Sequence, residues 1–285
     1  MSEKAKKDHN ILFNIIKTIV RPFFCWPYHY KIKGKYRIAK GESVVVLSNH
    51  QTDLDPYFIS LSFNKNLHAI ATDNIFKKGL VSKALRFFGA IPKKKGVVDL
   101  KSNMEMMNVV SHKGSILIFP EGNRSYAEFQ YYIAPNFSRM MKTFGSTIVL
   151  FNLHGGTGTH PRFAKKNRKG PFFGEIKAVL RYEDYKDIKD EELNEIIVNG
   201  LRVIDSESGN LYKSKAKAEY LERALFVCPI CQTPNQLASK GDYLNCSNCG
   251  LSVKFNEDLS LSSDNSNFTY RSEEHTSELQ SHLNL

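Results

Sequence analysis

Three short aliphatic runs limit this chain more than anything else in it: Ser43–Ser48 (SVVVLS), Ser115–Phe119 (SILIF) and Thr147–Leu153 (TIVLFNL). Each is shorter than an ordinary helix and offers no polar face. Such runs are strands covered on both sides, and a doubly covered sheet is built by alternating strands with helices. The intervening segments supply those helices. Apolar spacing predicts them around Pro56–Phe63, over Leu80–Phe88 and Met104–His112, and over Asp190–Ile204, whose acidic start suits the positive end of a helix. Leu67–Ala71 and Phe172–Tyr182 hold two further strands. The expected fold class is α/β, a largely parallel mixed sheet flanked by helices, as one domain over residues 31–212.

Ahead of that domain, Asn10–Tyr30 combines Ile11, Leu12, Phe13, Ile15, Ile16, Ile19 and Val20 with Phe23, Phe24, Trp26, Tyr28 and Tyr30. Lysines and Arg21 flank them, so residues 1–30 are expected to form an amphipathic membrane-interface segment, broken into short pieces by Pro22 and Pro27. The same pattern also fits a helix packed on the core with its lysines in water. Between Met1 and Lys40, ten Lys or Arg face Glu3 and Asp8, a local net of +8 out of +11 for the chain. A balance of this kind seeks polyanions: nucleic acid, anionic lipid or phosphorylated substrates. The most apolar stretch, Ile11–Val20, contains Lys17 and ends at Arg21-Pro22, well short of the ~20 apolar residues a spanning helix needs. Lys17 also interrupts any signal-peptide core. The expected location is peripheral, on a membrane face open to the cytoplasm, without a transmembrane span.

The run SVVVLS leads directly into Asn49-His50-Gln51-Thr52-Asp53-Leu54-Asp55-Pro56. A His and an Asp five apart, at the carboxyl end of a buried strand, lie where open α/β sheets place their sites. A carboxylate holding one imidazole nitrogen leaves the other to take a proton from a hydroxyl near neutral pH. Alone, the pair is better read as a loop His beside an N-cap Asp. A second strand, SILI, delivers Phe119-Pro120-Glu121-Gly122-Asn123-Arg124-Ser125, and between the two lies Gly89-Ala90-Ile91-Pro92-Lys93-Lys94-Lys95-Gly96, read as a tight basic loop. Two basic loops beside a His-Asp pair point to a phosphate-bearing acceptor whose free hydroxyl faces the base.

These blocks resemble the glycerolipid acyltransferases typified by 1-acylglycerol-3-phosphate acyltransferase. N-H-x-x-x-x-D at Asn49–Asp55, G-A-I at Gly89, F-P-E-G-x-R-S at Phe119–Ser125 and the later apolar strand occur in the family's order, over about Lys31–Tyr182. The resemblance implies His50 as general base with Asp55 orienting it. Glu121, Gly122 and Arg124 would shape the acceptor pocket, with Arg124 on the acceptor phosphate. Lys95, where the family has Arg, joins Lys93 and Lys94 as basic candidates for that phosphate; Asn123 stands where Thr is usual. The implied reaction moves a fatty acyl group from an acyl thioester, acyl-CoA or acyl carrier protein, to the hydroxyl of a lysophosphatidic-acid-like acceptor, giving phosphatidic acid for phospholipid biosynthesis. Glycerol 3-phosphate or another lysolipid is the alternative acceptor. The chain has no G-x-S-x-G elbow, so direct attack without an acyl-enzyme or a catalytic cofactor is expected. A hydrolase would use the same His on water, and thiol release that requires the acceptor distinguishes transfer from that.

Lys213–Arg223 reads as a charged helical connector to a compact unit over residues 224–257. There Cys228-x-x-Cys231 and Cys246-x-x-Cys249 are separated by fourteen residues, the spacing of a zinc ribbon. About thirty residues need such a staple, and four Cys leave no open position for catalysis. Structural Zn2+ on Cys228, Cys231, Cys246 and Cys249 is therefore expected. Nucleic acid is not the expected partner, because Phe226–Phe255 carries only Lys240 and Lys254 against Asp242. Residues 258–270 read as a loose polar tail. Residues 271–285 are set apart: Arg271–Ser281 (RSEEHTSELQS) resembles the translation of a sequencing-library adapter, and a natural protein would continue differently past Tyr270.

Overall fold

The computed structural model describes residues 3–77, 79–95, 97, 99–126 and 130–270, with the side chains of 3–10 left out. The adapter-like run lies outside the described residues.

The aliphatic runs form the middle of a seven-stranded sheet. Its strands are β1 (Tyr30–Ile32), β2 (Val44–Ser48), β3 (Leu67–Thr72), β4 (Ile91–Lys93), β5 (Ser115–Ile118), β6 (Thr147–His154) and β7 (Phe172–Leu180), in the spatial order β1-β7-β6-β2-β5-β3-β4. Every neighbouring pair is parallel except β6 with β7. Alternation along β2 sends Val45 and Leu47 to one face and Val44 and Val46 to the other, which is why the run has no polar side. On the first face, α4 (Leu100–Ser111), α5 (Phe137–Phe144) and α8 (Asp190–Leu201) bury Met106, Val110, Met141, Leu193, Ile197 and Leu201. Leu193, Ile197 and Leu201 recur every four residues, a single helical stripe. The second face is covered by α2 (Asp55–Ser60), whose Phe58 and Ile59 are fully buried with Tyr30 and Phe172.

Four sequence expectations are corrected here. The N-terminal segment is not broken at its prolines: α1 runs unbroken from Glu3 to Tyr28 with Pro22 and Pro27 inside it. The carbonyls four residues earlier belong to Thr18 and Phe23, both exposed, so water can replace the missing N–H donors. Second, the basic stretch after Gly89 is only partly a loop, since Ile91–Lys93 pairs with β3 as an edge strand. Third, residues 213–223 are not an α-helix; only Leu221–Arg223 makes a 3-10 turn. Lys217 and Ala218 are buried there, and their N–H groups go to Asp242 Oδ1 and Gly241 O instead of the preceding turn. Fourth, the tail after 257 is not loose: Leu259 and Leu261 are buried, and Leu261–Ser262 adds a strand to the ribbon.

That ribbon is an antiparallel sheet of β8 (Leu237–Lys240), β9 (Tyr243–Cys246), β10 (Ser252–Phe255) and β11 (Leu261–Ser262). Leu237, Leu244, Val253 and Phe255 pack with Phe163 and Tyr212 of the preceding chain. Three more short helices, α3 (Gly79–Phe87), α6 (Gly156–Thr159) and α7 (Tyr182–Tyr185), complete the fold.

Candidate functional site

β2 lies between β5 and β6, where the connections diverge to the two halves of the sheet, and its carboxyl end opens there. Asn49 fixes that end. Its side-chain amide donates to Leu153 O (2.9 Å) while its Oδ1 accepts from Leu153 N (2.8 Å), joining it to β6 where the ladder stops. The next residue, His50, places Nδ1 2.8 Å from Asp55 Oδ2, with its ring stacked on Phe119 at 4.1 Å. Asp55 is fully buried as the first residue of α2. Its Oδ2 also accepts from Gln51 N (2.6 Å) and Thr52 N (2.8 Å), and its Oδ1 from Thr52 Oγ1 (2.5 Å). A carboxylate accepting this many hydrogen bonds is held in one orientation and in turn orients the imidazole, so Nε2 is the nitrogen left for chemistry.

The second block reaches the same place. Gly122 N–H donates to Phe119 O, closing a turn in which Gly122 has φ +66, a conformation that favours glycine. Ser125 N–H then donates to His50 O at 2.8 Å, tying the two blocks together. Glu121 is buried, and Tyr131 N–H donates to its Oε2 at 3.0 Å. Burial pushes its carboxyl up to about 7, with the charge of Asp55 acting in the same direction and the Tyr131 N–H against it. Arg124 lies 2.6 Å from the exposed carboxylate of Asp53, an ion pair without hydrogen-bond alignment. One cleft gathers Asn49, His50, Gln51, Glu121 and Ser125 with Gln130, Thr157, Leu201 and Val203.

The basic loop is not part of that cleft. Lys93, Lys94 and Lys95 are exposed beside β4, three strands from β2 and so roughly 14 Å away along the sheet. They share the edge with His50 but do not touch it. Several cleft residues escaped the sequence reading. Thr157 follows Gly155-Gly156, and a glycine pair closing a buried strand is a signal that could have marked it. Leu201 and Val203 were legible only as the end of a helix.

The four expected ligands converge. The sulfur atoms of Cys228, Cys231, Cys246 and Cys249 all lie within 4.8 Å of one another. Cys228 to Cys249 is 3.6 Å and Cys231 to Cys246 is 3.8 Å. A tetrahedral ion with sulfur ligands at about 2.3 Å has edges of about 3.8 Å, so the cluster fits such a metal.

On the N-terminal side, α1 buries Phe13 and Lys17 and leaves Ile11, Leu12, Ile15, Ile19, Phe23 and Trp26 exposed in a helical stripe, Phe23 and Trp26 by 75% and 79%. No helix of the described residues is long and apolar enough to cross a membrane.

Residues 29–154 match the family model described as Acyltransferase. No curated protein sequence matches the chain. Among solved structures, the 1-acyl-sn-glycerophosphate (LPA) acyltransferase PlsC from Thermotoga maritima is similar with a TM-score of 0.58. The match has 17% identity, covering 70% of this chain and 83% of that one, a likeness of fold.

Proposed function

We propose that this chain is a PlsC-like O-acyltransferase that transfers a fatty acyl group from an acyl-CoA or acyl carrier protein thioester to the free hydroxyl of 1-acylglycerol 3-phosphate, giving phosphatidic acid at a membrane surface. The match of residues 29–154 to the Acyltransferase family model and the PlsC-like fold support that class of reaction. The observation that carries this reading is the His50–Asp55 pair, whose Nε2 is free beside Glu121 and Ser125 in one cleft.

In the proposed step, His50 Nε2 takes the proton of the acceptor hydroxyl as its oxygen attacks the thioester carbonyl carbon. The carbonyl re-forms, the carbon–sulfur bond breaks, and the departing thiolate receives the proton from the imidazolium. Asp55 holds the tautomer and stabilises the imidazolium between those events. A thioester is already activated, so positioning two substrates and moving one proton is enough. Arg124 meets the acceptor phosphate, exchanging its pairing with the exposed Asp53 carboxylate for a bidentate one. Lys93, Lys94 and Lys95 act at longer range, attracting anionic substrate or lipid to the sheet edge.

The exposed stripe of α1, with the surrounding basic residues, supports peripheral attachment to anionic lipid. The four cysteines would hold Zn2+ in a closed site, supplying folding energy to the ribbon and no reaction step.

The deciding experiment measures thiol release from an acyl thioester with and without lysophosphatidic acid, together with the lipid product by mass spectrometry. Wild type should release thiol only with acceptor and form phosphatidic acid, and His50→Ala should abolish both while remaining folded. Turnover by a folded His50→Ala protein near the wild-type rate would refute the mechanism, and thiol release without acceptor would make the protein a thioesterase.

A further inference from the structure

Asp205 lies well past the residues that match the family, yet it is bonded to the loop that carries His50. It is 2% exposed and sits at the head of a 3-10 turn, Ser206–Ser208, which its side chain does not cap. The carboxylate turns inward instead. Its Oδ1 accepts from Gly155 N (2.7 Å), and its Oδ2 from Thr157 Oγ1 (2.6 Å) and the side-chain amide of Gln51 (3.1 Å). Gln51 completes the link: its Oε1 accepts from Gly156 N (2.8 Å), while its own N–H donates to Asp55 Oδ2 (2.6 Å). A Cβ on Gly156 would stand 2.6 Å from Gln51 Oε1, so the turn after β6 packs directly against this side chain.

We infer that Asp205 is a positioning residue for the acyl transfer, acting through Gln51 to fix the loop that aligns His50 with Asp55. The inference rests on the His50–Asp55 reading above. A buried carboxylate is costly unless its lone pairs are filled, and the donors that fill them here come from the β2 and β6 loops. A carboxylate placed only to anchor the 155–157 turn needs Gly155 and Thr157 alone. The bond to Gln51 adds a connection between the wall of the cleft and the residue next to the base. Burial pushes the Asp205 carboxyl above its ordinary range, while Thr157, Gly155, the nearby His154 and Gln51 oppose that.

The test exchanges the two partners. Asp205→Asn puts an NH2 group against the amide of Gln51, and kcat should fall about 10- to 100-fold while the acceptor KM stays within about 3-fold. Gln51→Glu alone sets two carboxylates together and should also lose activity. Gln51→Glu with Asp205→Asn restores an acceptor opposite a donor and keeps the acceptor for Gly156 N, so kcat should return to within about 3-fold of wild type. A purely structural Asp205 would move melting temperature without this reciprocal recovery of kcat. Should Asp205→Asn not fold, Gln51→Met decides, because it leaves the bonds of Asp205 to Gly155 and Thr157 intact. A loss of kcat of about 10-fold or more in Gln51→Met supports the inference, and an unchanged kcat overturns it. Unchanged kcat in folded Asp205→Asn, or a double variant no better than either single one, also overturns it. His50→Ala assayed alongside separates the two levels: activity there removes the underlying reading, whereas an inactive His50→Ala beside an unimpaired Asp205→Asn removes this inference alone.

Discussion

At the carboxyl end of β2 and in the four-cysteine ribbon, polar atoms converge from distant parts of the chain, but what holds them differs. Around His50 the holding is done by a large apolar core: Val44, Val45, Val46 and Leu47 are all fully buried, and the strand they form aims Asn49 and His50. The ribbon has four strands of at most four residues, and its core is completed by Phe163 and Tyr212 from the preceding chain. A unit with strands that short gains from a cross-link, and the four clustered cysteines are placed where a metal could supply one. The difference teaches where each region is vulnerable. The cleft depends on donor and acceptor geometry within an already stable frame, so substitution there should change rate more than fold. The ribbon should lose order as a whole when its ligands change.

The largest effect that tests this contrast is at the dyad. Asp55→Asn keeps the shape but can stabilise the wrong imidazole tautomer, and kcat should drop roughly 10³- to 10⁴-fold, as for the equivalent change in the serine-protease triad. Circular dichroism and metal content should stay at wild-type values; if the protein unfolds instead, the frame at this end is less independent of its polar groups than the packing implies.

The matching change in the ribbon is Cys228→Ser, or treatment with a strong chelator to strip the metal proposed for the four cysteines. Amide exchange over residues 224–262 should quicken by at least about 100-fold, while β2, β5 and β6 keep their protection. Loss of protection in the large sheet as well would show that the Phe163–Tyr212 contact makes the two regions one cooperative unit.

Glu121 offers a sharper probe, since burial works against its charge. Its carboxyl rises from 4.5 to about 7 on folding, so the folded protein holds this proton more tightly than the unfolded chain. The resulting stabilisation is complete below the unfolded value and is lost as pH rises through the folded one. Between pH 4.5 and 7 the loss is about 3 kcal/mol. Glu121→Gln should therefore flatten this part of the stability–pH curve, read from urea midpoints at pH 5 and pH 8. An unaltered slope would mean that the carboxylate is better solvated than its burial indicates.

The smallest effect is expected from Lys95→Ala, which should raise the acceptor KM by no more than about 2-fold at physiological salt, because the side chain is exposed and distant from the cleft. Arg124→Ala, by contrast, should raise it about 10-fold or more for a phosphorylated acceptor. Equal effects would place the lysine loop nearer the acceptor than the sheet order does.

Much of the sheet was legible in the sequence because β2, β5 and β6 are covered on both faces and carry continuous apolar runs. The dyad was legible because both partners lie within one turn of the same strand end. What escaped depends on contacts between remote segments. Ile91–Lys93 carries no strand pattern of its own and becomes one by pairing with β3. Asp205 sits in a polar run, Asp205-Ser-Glu-Ser, that gives no hint of burial. The prolines of α1 break helices by local rules, and only the exposure of Thr18 and Phe23 makes an unbroken helix tolerable. Lys17 was read as part of a charged flank, but it is buried.

That lysine has a consequence for α2. Its Nζ donates to Ser60 O at 3.0 Å and to Phe63 O at 2.6 Å, where α2 ends, while Asp55 begins the same helix. Burial, with Lys35 nearby, lowers its ammonium to about 8. A six-residue helix is little more than its first and last turns, the regions where the peptide dipoles sum to partial charges. With a carboxylate at its positive end and an ammonium at its negative end, α2 is polarised from both sides. The cation of α1 and the anion that orients His50 thus act on opposite poles of a single short dipole.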